Sequence, residues 1–321
     1  NEVTGQVITS NTPANAQLRA PFQGVATMSF GLNQTTGQST YHSLQTSVRQ
    51  RFSQGVQFLA SYTLSKSIDN TASGTVSGGN VANEIAFSRG NQLDNRANRG
   101  LSDFDHTHRV VSSYLWDLPH PAFAAQPGLG KLLLSNWQVA GIVVAMSGLP
   151  IDIVDTGSGS LYGLSGGGAL SRPNSIPGSN PRSNVPSGYY FNPFAFVRPV
   201  VRPGQAIPSA NGMAVAGSVG TDIGTVGRNT LRGPGQVNVD FSISKHFPLS
   251  ETKRLEFRAE FFNLFNHVNL AKPISNLNAV TASGTLDQVS GRIVGDAGDF
   301  GRINSTSNNP RLVQFGLKLI F

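Results

Sequence analysis

At 321 residues the chain is long enough for one large domain or two modest ones, yet only 13% of it is charged and 38% hydrophobic. That charged share is about half of what soluble domains carry, and with 36 Gly and 18 Pro it suits strands and polar loops, not a helical bundle. There is no cysteine, which excludes a disulfide scaffold and thiolate metal sites; the net charge of +7 is scattered with no run of five like charges, so acidic lipid head groups or an anionic ligand are expected partners and nucleic acid is not.

Residues 1–20 read as a lead-in with neither an initiator Met nor a signal peptide. No stretch approaches the 18 apolar residues of a membrane-crossing helix, so a closed barrel is the remaining way to span a bilayer. In chain order, a weak strand is predicted from Phe22 to Phe30. The next, Tyr41 to Phe52, puts Leu44, Val48 and Phe52 on one face and Ser43, Gln45, Ser47, Arg49 and Arg51 on the other. After the tight Ser53-Gln54-Gly55 link, Val56, Phe58, Ala60, Tyr62 and Leu64 alternate with Gln57, Leu59, Ser61, Thr63 and Ser65. His108 to Leu118 and Asn136 to Met146 are predicted strands with apolar residues on both faces, a pattern that equally suits a buried sandwich strand. Val237 to Phe247 and Leu255 to Phe261 alternate cleanly and form a hairpin across Pro248–Lys253. The chain ends on Val313, Phe315, Leu317, Leu319 and Phe321, alternating with Gln314, Gly316 and Lys318.

The links between these strands alternate in length. Strand-bearing regions 21–66, 106–147, 236–266 and 310–321 are separated by long loops 67–105, 148–235 and 267–309, while the turns on the other side are short or moderate. Outer-membrane barrels share this asymmetry, with short periplasmic turns and long external loops. The expected fold is all-β: an antiparallel transmembrane β-barrel segment of about eight or more strands, treated as one domain over residues 1–321. The loops are Gly/Ser-rich from Gly157 to Gly168 and Pro/Asn/Ser-rich from Ser171 to Pro208, and are expected to be partly mobile with no domain of their own.

Several phrases then fall into a recognisable order. They are Tyr41-His42-Ser43-Leu44-Gln45, Tyr62-Thr63-Leu64-Ser65-Lys66-Ser67-Ile68-Asp69, Ser102-Asp103-Phe104-Asp105-His106, Asn136-Trp137-Gln138-Val139-Ala140-Gly141, Gly227 to Gly235, Phe257 to Asn266 and Pro310 to Lys318. Together, from about Arg19 to Phe321, they resemble the C-terminal barrel of TonB-dependent outer-membrane transporters, in the branch with an N-terminal carboxypeptidase-like regulatory domain. The resemblance implies a 22-stranded barrel, a plug domain, energy from the TonB system and a bacterial outer-membrane location. Since 321 residues do not hold the plug and the remaining strands, the chain reads as a fragment of such a transporter. The alternation Phe315, Leu317, Leu319, Phe321 resembles the signal read by the barrel-assembly machinery.

Chemistry-bearing residues are few. Arg49, Arg51, Asp240, Glu256, Arg258 and Glu260 are candidates to line the lumen or contact ligand, the interleaved Arg258 suggesting a salt-bridged ladder more than acid/base work. His106 and His108, with Asp103 and Asp105, form a weak metal candidate; a polar barrel rim is the preferred reading, and no metal or cofactor is expected. Gly163-Leu164-Ser165-Gly166-Gly167 formally matches a nucleophile elbow but lacks the helix that such a turn needs. The Gly-rich stretch also lacks the Lys-Ser/Thr ending of a phosphate loop. Tyr62, Tyr114, Trp116 and Trp137 are candidates for an aromatic girdle. The expected function is binding and import of a nutrient (a metal chelate, oligosaccharide or peptide), with no catalysis. The alternative is a structural or adhesive β-rich surface or secreted protein.

Overall fold

The computed structural model describes residues 36–52, 55–70, 96–120, 128–155, 172–198, 201–208, 214–218, 224–282, 285–287 and 290–321. The strand expected at Phe22–Phe30 and the Ser165 loop lie outside these residues. Seven long strands build one antiparallel sheet: β1 Ser39–Arg51, β2 Val56–Asp69, β3 His108–Asp117, β4 Trp137–Met146, β5 Gln236–Pro248, β6 Arg254–Phe262 and β7 Leu312–Ile320. Each pairs with its neighbour in chain order, and a two-residue strand, Gly100–Leu101, extends the end of β2. Among the described residues β1 and β7 are the edges, so the sheet is open. Among the described residues no helix is long and apolar enough to cross a membrane.

Register assigns every side chain to a face. Ser43 lies opposite Ser65, Arg49 opposite Leu59 and Arg51 opposite Gln57; Leu59 then meets Ser113, Ser113 meets Ile142, and Ile142 meets Asp240. The next row runs Arg51, Gln57, Leu115, Ala140, Ser242, Glu260 and Gln314. All five strand carboxylates, Asp69, Asp117, Asp240, Glu256 and Glu260, share this face. The opposite face carries Leu44, Val48, Phe58, Leu64, Val110, Trp116, Val237, Phe257, Phe315, Leu317 and Leu319. Several of these are strongly exposed, with Phe315 at 68% and Leu317 at 69%. A continuous exposed apolar face of this extent is what a lipid-facing wall requires. The apolar residues on both faces of β3 and β4 do not produce a sandwich among the described residues: the strands of about ten residues belong to a single sheet, and among those residues no second sheet of that length is stacked on it.

Aromatic packing reinforces the apolar face. Tyr114 lies directly across from Gly141, and a Cβ at that position would come within 2.6–2.8 Å of the phenol ring and hydroxyl. The glycine is therefore the seat of the ring. Phe241 and Phe261 pair across β5 and β6 at 6.1 Å, and Phe257 stacks on Phe315 at 6.2 Å. Such cross-strand aromatic pairs each contribute a few tenths to about 1 kcal/mol.

The buried apolar core is elsewhere. It sits in the two long links after β4 and β6, where Ile151, Ile153, Phe191, Phe196, Leu231, Leu277, Val280, Ile293 and Phe300 cluster. Phe191, Phe196 and Phe300 meet edge to face, with centroids 5.2–5.8 Å apart. Asn192 opens this turn by accepting the Phe194 N–H at 3.0 Å, ahead of the 3-10 turn Pro193–Ala195. The two links are stitched by backbone: Val154 N–H to Ser275 O, Leu277 N–H to Val154 O, and Tyr190 N–H to Gly301 O. The described parts of the long loops thus form a packed cap on the long-loop end of the sheet, where loose connections were expected from their Gly, Ser and Pro content. Replacing Phe300, which is fully buried, with Ala is expected to cost about 3–5 kcal/mol locally. Limited proteolysis should then cut loops 148–235 and 267–309 faster, while the barrel keeps its heat-modifiable migration on gels.

Candidate functional site

The sheet carries a cavity on its polar face, and its long-loop end carries the network that fixes the cap to it. The polar face bounds a cavity of about 880 Å³. Arg49 and Arg51 stand at its β1 side and Asp240 and Glu260 at its β5–β6 side, with Leu59, Leu115, Ala140 and Ile142 on the floor between them. This volume is within the range of small-molecule sites. Among the described residues neither Arg49 nor Arg51 has an ion-pair partner. Asp240 also has a local task, since its Oδ1 accepts the Asn263 N–H at 2.9 Å and the Asn238 amide at 2.8 Å.

Glu256 and Arg258 stand on the same face toward the short turns. Arg258 donates to Glu256 at 2.6 Å and lies 3.5 Å from Glu260. These three side chains form a ladder along one strand, and Gln138 donates to Asp117 at 2.7 Å in a second polar pair across β3 and β4.

The candidate metal set is not assembled. Asp105 accepts the Ser67 N–H at 2.7 Å and pairs with Arg232 at 2.7 Å. Asp103 accepts from the Asn229 amide at 2.7 Å and lies 3.2 Å from Arg228. His106 precedes β3 and turns its Nδ1 to Ser147 O at 2.6 Å, whereas His108 bonds the Tyr62 hydroxyl at 2.9 Å. Among the described residues no three His, Asp or Glu side chains form a metal-binding group.

What the carboxylates do instead is hold the cap. Arg228, 4% exposed, pairs with Asp69 at the end of β2 as well as with Asp103. Asn229 reaches Leu101 O at 2.6 Å, and Arg232 donates to Asp105 O and Gly148 O. Gly148 itself passes so close to Gly233 that a Cβ would fall 1.9 Å from its carbonyl oxygen, so no larger residue fits. Deeper in the cap, Asp152 pairs with Arg172, and Asp155 with Arg198 at 2.7 Å. The three phrases ending in Asp69, spanning Ser102 to His106 and running from Gly227 to Gly235 are therefore one buried clamp. Arg228, Asn229, Arg232 and Asp69 were not singled out from the sequence. The available signal was the set of acids just outside strand ends, matched by two Arg four residues apart ahead of β5.

A second anchor explains the Phe257–Asn266 phrase. Asn263, in a left-handed conformation, accepts the His267 N–H at 2.8 Å and donates to His267 O and Asn309 O. Asn269 imitates a strand neighbour, accepting Val237 N–H and donating to Val237 O at 2.8 Å each. On the cap surface Tyr189 donates to Asp296 at 2.5 Å, with Arg302 4.6 Å over its ring. Burial raises the Tyr189 hydroxyl pKa, and the Tyr189 hydrogen bond holds the Asp296 carboxyl below the usual range.

Phe315, Leu317 and Leu319 share the lipid-side face of β7, with Phe321 just beyond it and 88% exposed. Tyr62, Tyr114, Trp116 and Trp137 all fall on the apolar face; Tyr62 lies near the long-loop end and Trp116 and Trp137 near the short-turn end.

A family model described as outer membrane beta barrel domain matches residues 1–314. Neither the curated proteins nor the solved structures gave a match.

Removing one side of the clamp leaves buried charge unpaired, which typically costs about 3–5 kcal/mol. Arg228→Met should therefore raise amide exchange across 226–233 and 100–105. Adding Asp69→Asn should restore part of the protection.

Proposed function

The chain belongs to the outer-membrane β-barrel family and resides in the bacterial outer membrane, and from that premise we propose that it is the C-terminal wall and external cap of a TonB-dependent transporter. The observation that carries this reading is the cavity on the polar face, flanked on one side by Arg49 and Arg51, which have no ion-pair partner among the described residues, and on the other by carboxylates, in a wall that also bears a packed cap. A wall built only to span the membrane has no need of a packed loop core held by buried ion pairs, since each such pair must offset a large desolvation cost. A receptor does, because a pre-ordered binding surface loses less entropy on capturing its ligand. The ligand is a nutrient of the class of metal chelates, oligosaccharides or peptides. The work is binding and passage; the carboxylates serve the ladder and the clamp, not catalysis. TonB, a plug domain, lipid and the barrel-assembly machinery are the partners of this reading, with Phe315, Leu317, Leu319 and Phe321 as the assembly signal.

The test is uptake by cells carrying the full-length protein, measured with a ferric chelate, an oligosaccharide and a peptide mixture. Deletion should abolish uptake of one class, and Arg49→Gln with Arg51→Gln should lower it about tenfold. Collapse of the inner-membrane proton gradient should stop uptake while leaving surface binding. Uptake of all three classes unchanged by deletion, with loss only of surface attachment, would instead support the structural or adhesive role.

A further inference from the structure

The outward face of the sheet contains no Asp or Glu among the paired strand residues; its only lysines are Lys66, at the long-loop end, and Lys245, at the short-turn end. Lys245 is occupied, buried between Trp137 and Phe247 and donating to Ser135 O. Lys66 is exposed and has no ion-pair partner among the described residues. It lies directly across from His42. His108, opposite Leu64, is its diagonal neighbour on the next strand, about 7–8 Å away by strand geometry. The Tyr62 hydroxyl and Nδ1 of His108 are hydrogen-bonded at 2.9 Å, and the two rings stack at 6.2 Å. That bond engages Nδ1 and leaves Nε2 as the ring's other polar atom for a ligand. Immediately below this cluster the same face becomes apolar, with Leu44, Leu64 and Val110 exposed.

We propose that His42, Lys66 and His108 form a binding site for the phosphate of an anionic lipid in the external leaflet. The occupant is argued from charge and depth together. The cluster offers the Lys66 ammonium and two imidazoles, with no carboxylate on its own face, and it sits at the boundary where acyl chains would run down Leu44, Leu64 and Val110. Long-loop ends of such barrels face the exterior, so the leaflet is the outer one. The site is independent of what the lumen carries.

Native mass spectrometry of the detergent-solubilised full-length protein tests it, with a bis-phosphorylated glycolipid and its dephosphorylated form as probes. The phosphorylated lipid should bind on the order of fivefold or more tightly per cation engaged. Lys66→Gln combined with His108→Gln should reduce its binding to the level of the dephosphorylated lipid, whereas Lys131→Gln at the short-turn side should not. If the two lipids bind alike, or the double variant binds as the wild type does, the proposal fails. Displacement by millimolar inorganic phosphate would mean that the cluster reads free phosphate and would equally overturn a lipid site. Should the double variant not fold, as judged by heat-modifiable migration, the comparison of the two lipids on the wild type still decides.

Discussion

The pairing of Ser43 with Ser65, and not with a neighbour of either, is the constraint on which the wall depends. A one-residue slip in a sheet moves every side chain to the other face. Here a slip of β1 would turn Arg49 and Arg51 toward hydrocarbon and Leu44 and Val48 toward water, and a slip of any later strand would do the same to the carboxylates it carries. Charged side chains facing lipid near mid-bilayer cost about 2–4 kcal/mol each for the basic ones, so the penalty accumulates quickly across seven strands. The register is thereby fixed by charge as firmly as by backbone hydrogen bonds, and the polar face with its cavity follows from it.

At the long-loop end that polar face meets the cap through buried ion pairs. Asp69, Asp103 and Asp105 emerge where β2 ends and β3 begins, and Arg228 and Arg232 arrive just before β5. The cap contributes its own apolar core, so the clamp orients a structure that already has cohesion. The Phe191–Phe196–Phe300 cluster and the Asp152–Arg172 and Asp155–Arg198 pairs hold the described parts of the loops in one arrangement. Cap and wall are in this sense one construction, with the strand ends as the joint.

The strands were legible because alternation is a local signal. Leu255, Phe257, Ala259 and Phe261 are two residues apart, and their faces can be read directly. Even β3 and β4, apolar on both sides, keep their limits; what their sequence left open was sandwich or barrel, which only the sheet order resolves. The cap was not legible, because Phe191, Leu277 and Phe300 have no shared period and their contacts span about a hundred residues of Gly- and Pro-rich chain. The same holds for Asp103 and Asp105. Beside His106 and His108 they look like ligands, and their arginine partners lie more than a hundred residues away. Arg49, Arg51, Asp240 and Glu260 were legible as lumenal candidates from parity alone, but their gathering around one cavity needed the curvature of the sheet.

The central claim is the sidedness of the wall, and the absence of cysteine from these 321 residues makes it directly measurable. Single cysteines introduced along β1 and β2 of the full-length protein in outer membranes would be challenged with a water-soluble and a lipid-soluble thiol reagent. The account predicts strict alternation: Ser43→Cys, Gln45→Cys, Ser61→Cys and Thr63→Cys react with the aqueous reagent, and Leu44→Cys, Val48→Cys, Ala60→Cys and Leu64→Cys only with the lipid-soluble one. Uniform aqueous labelling of both sets, or the reverse alternation, would contradict it.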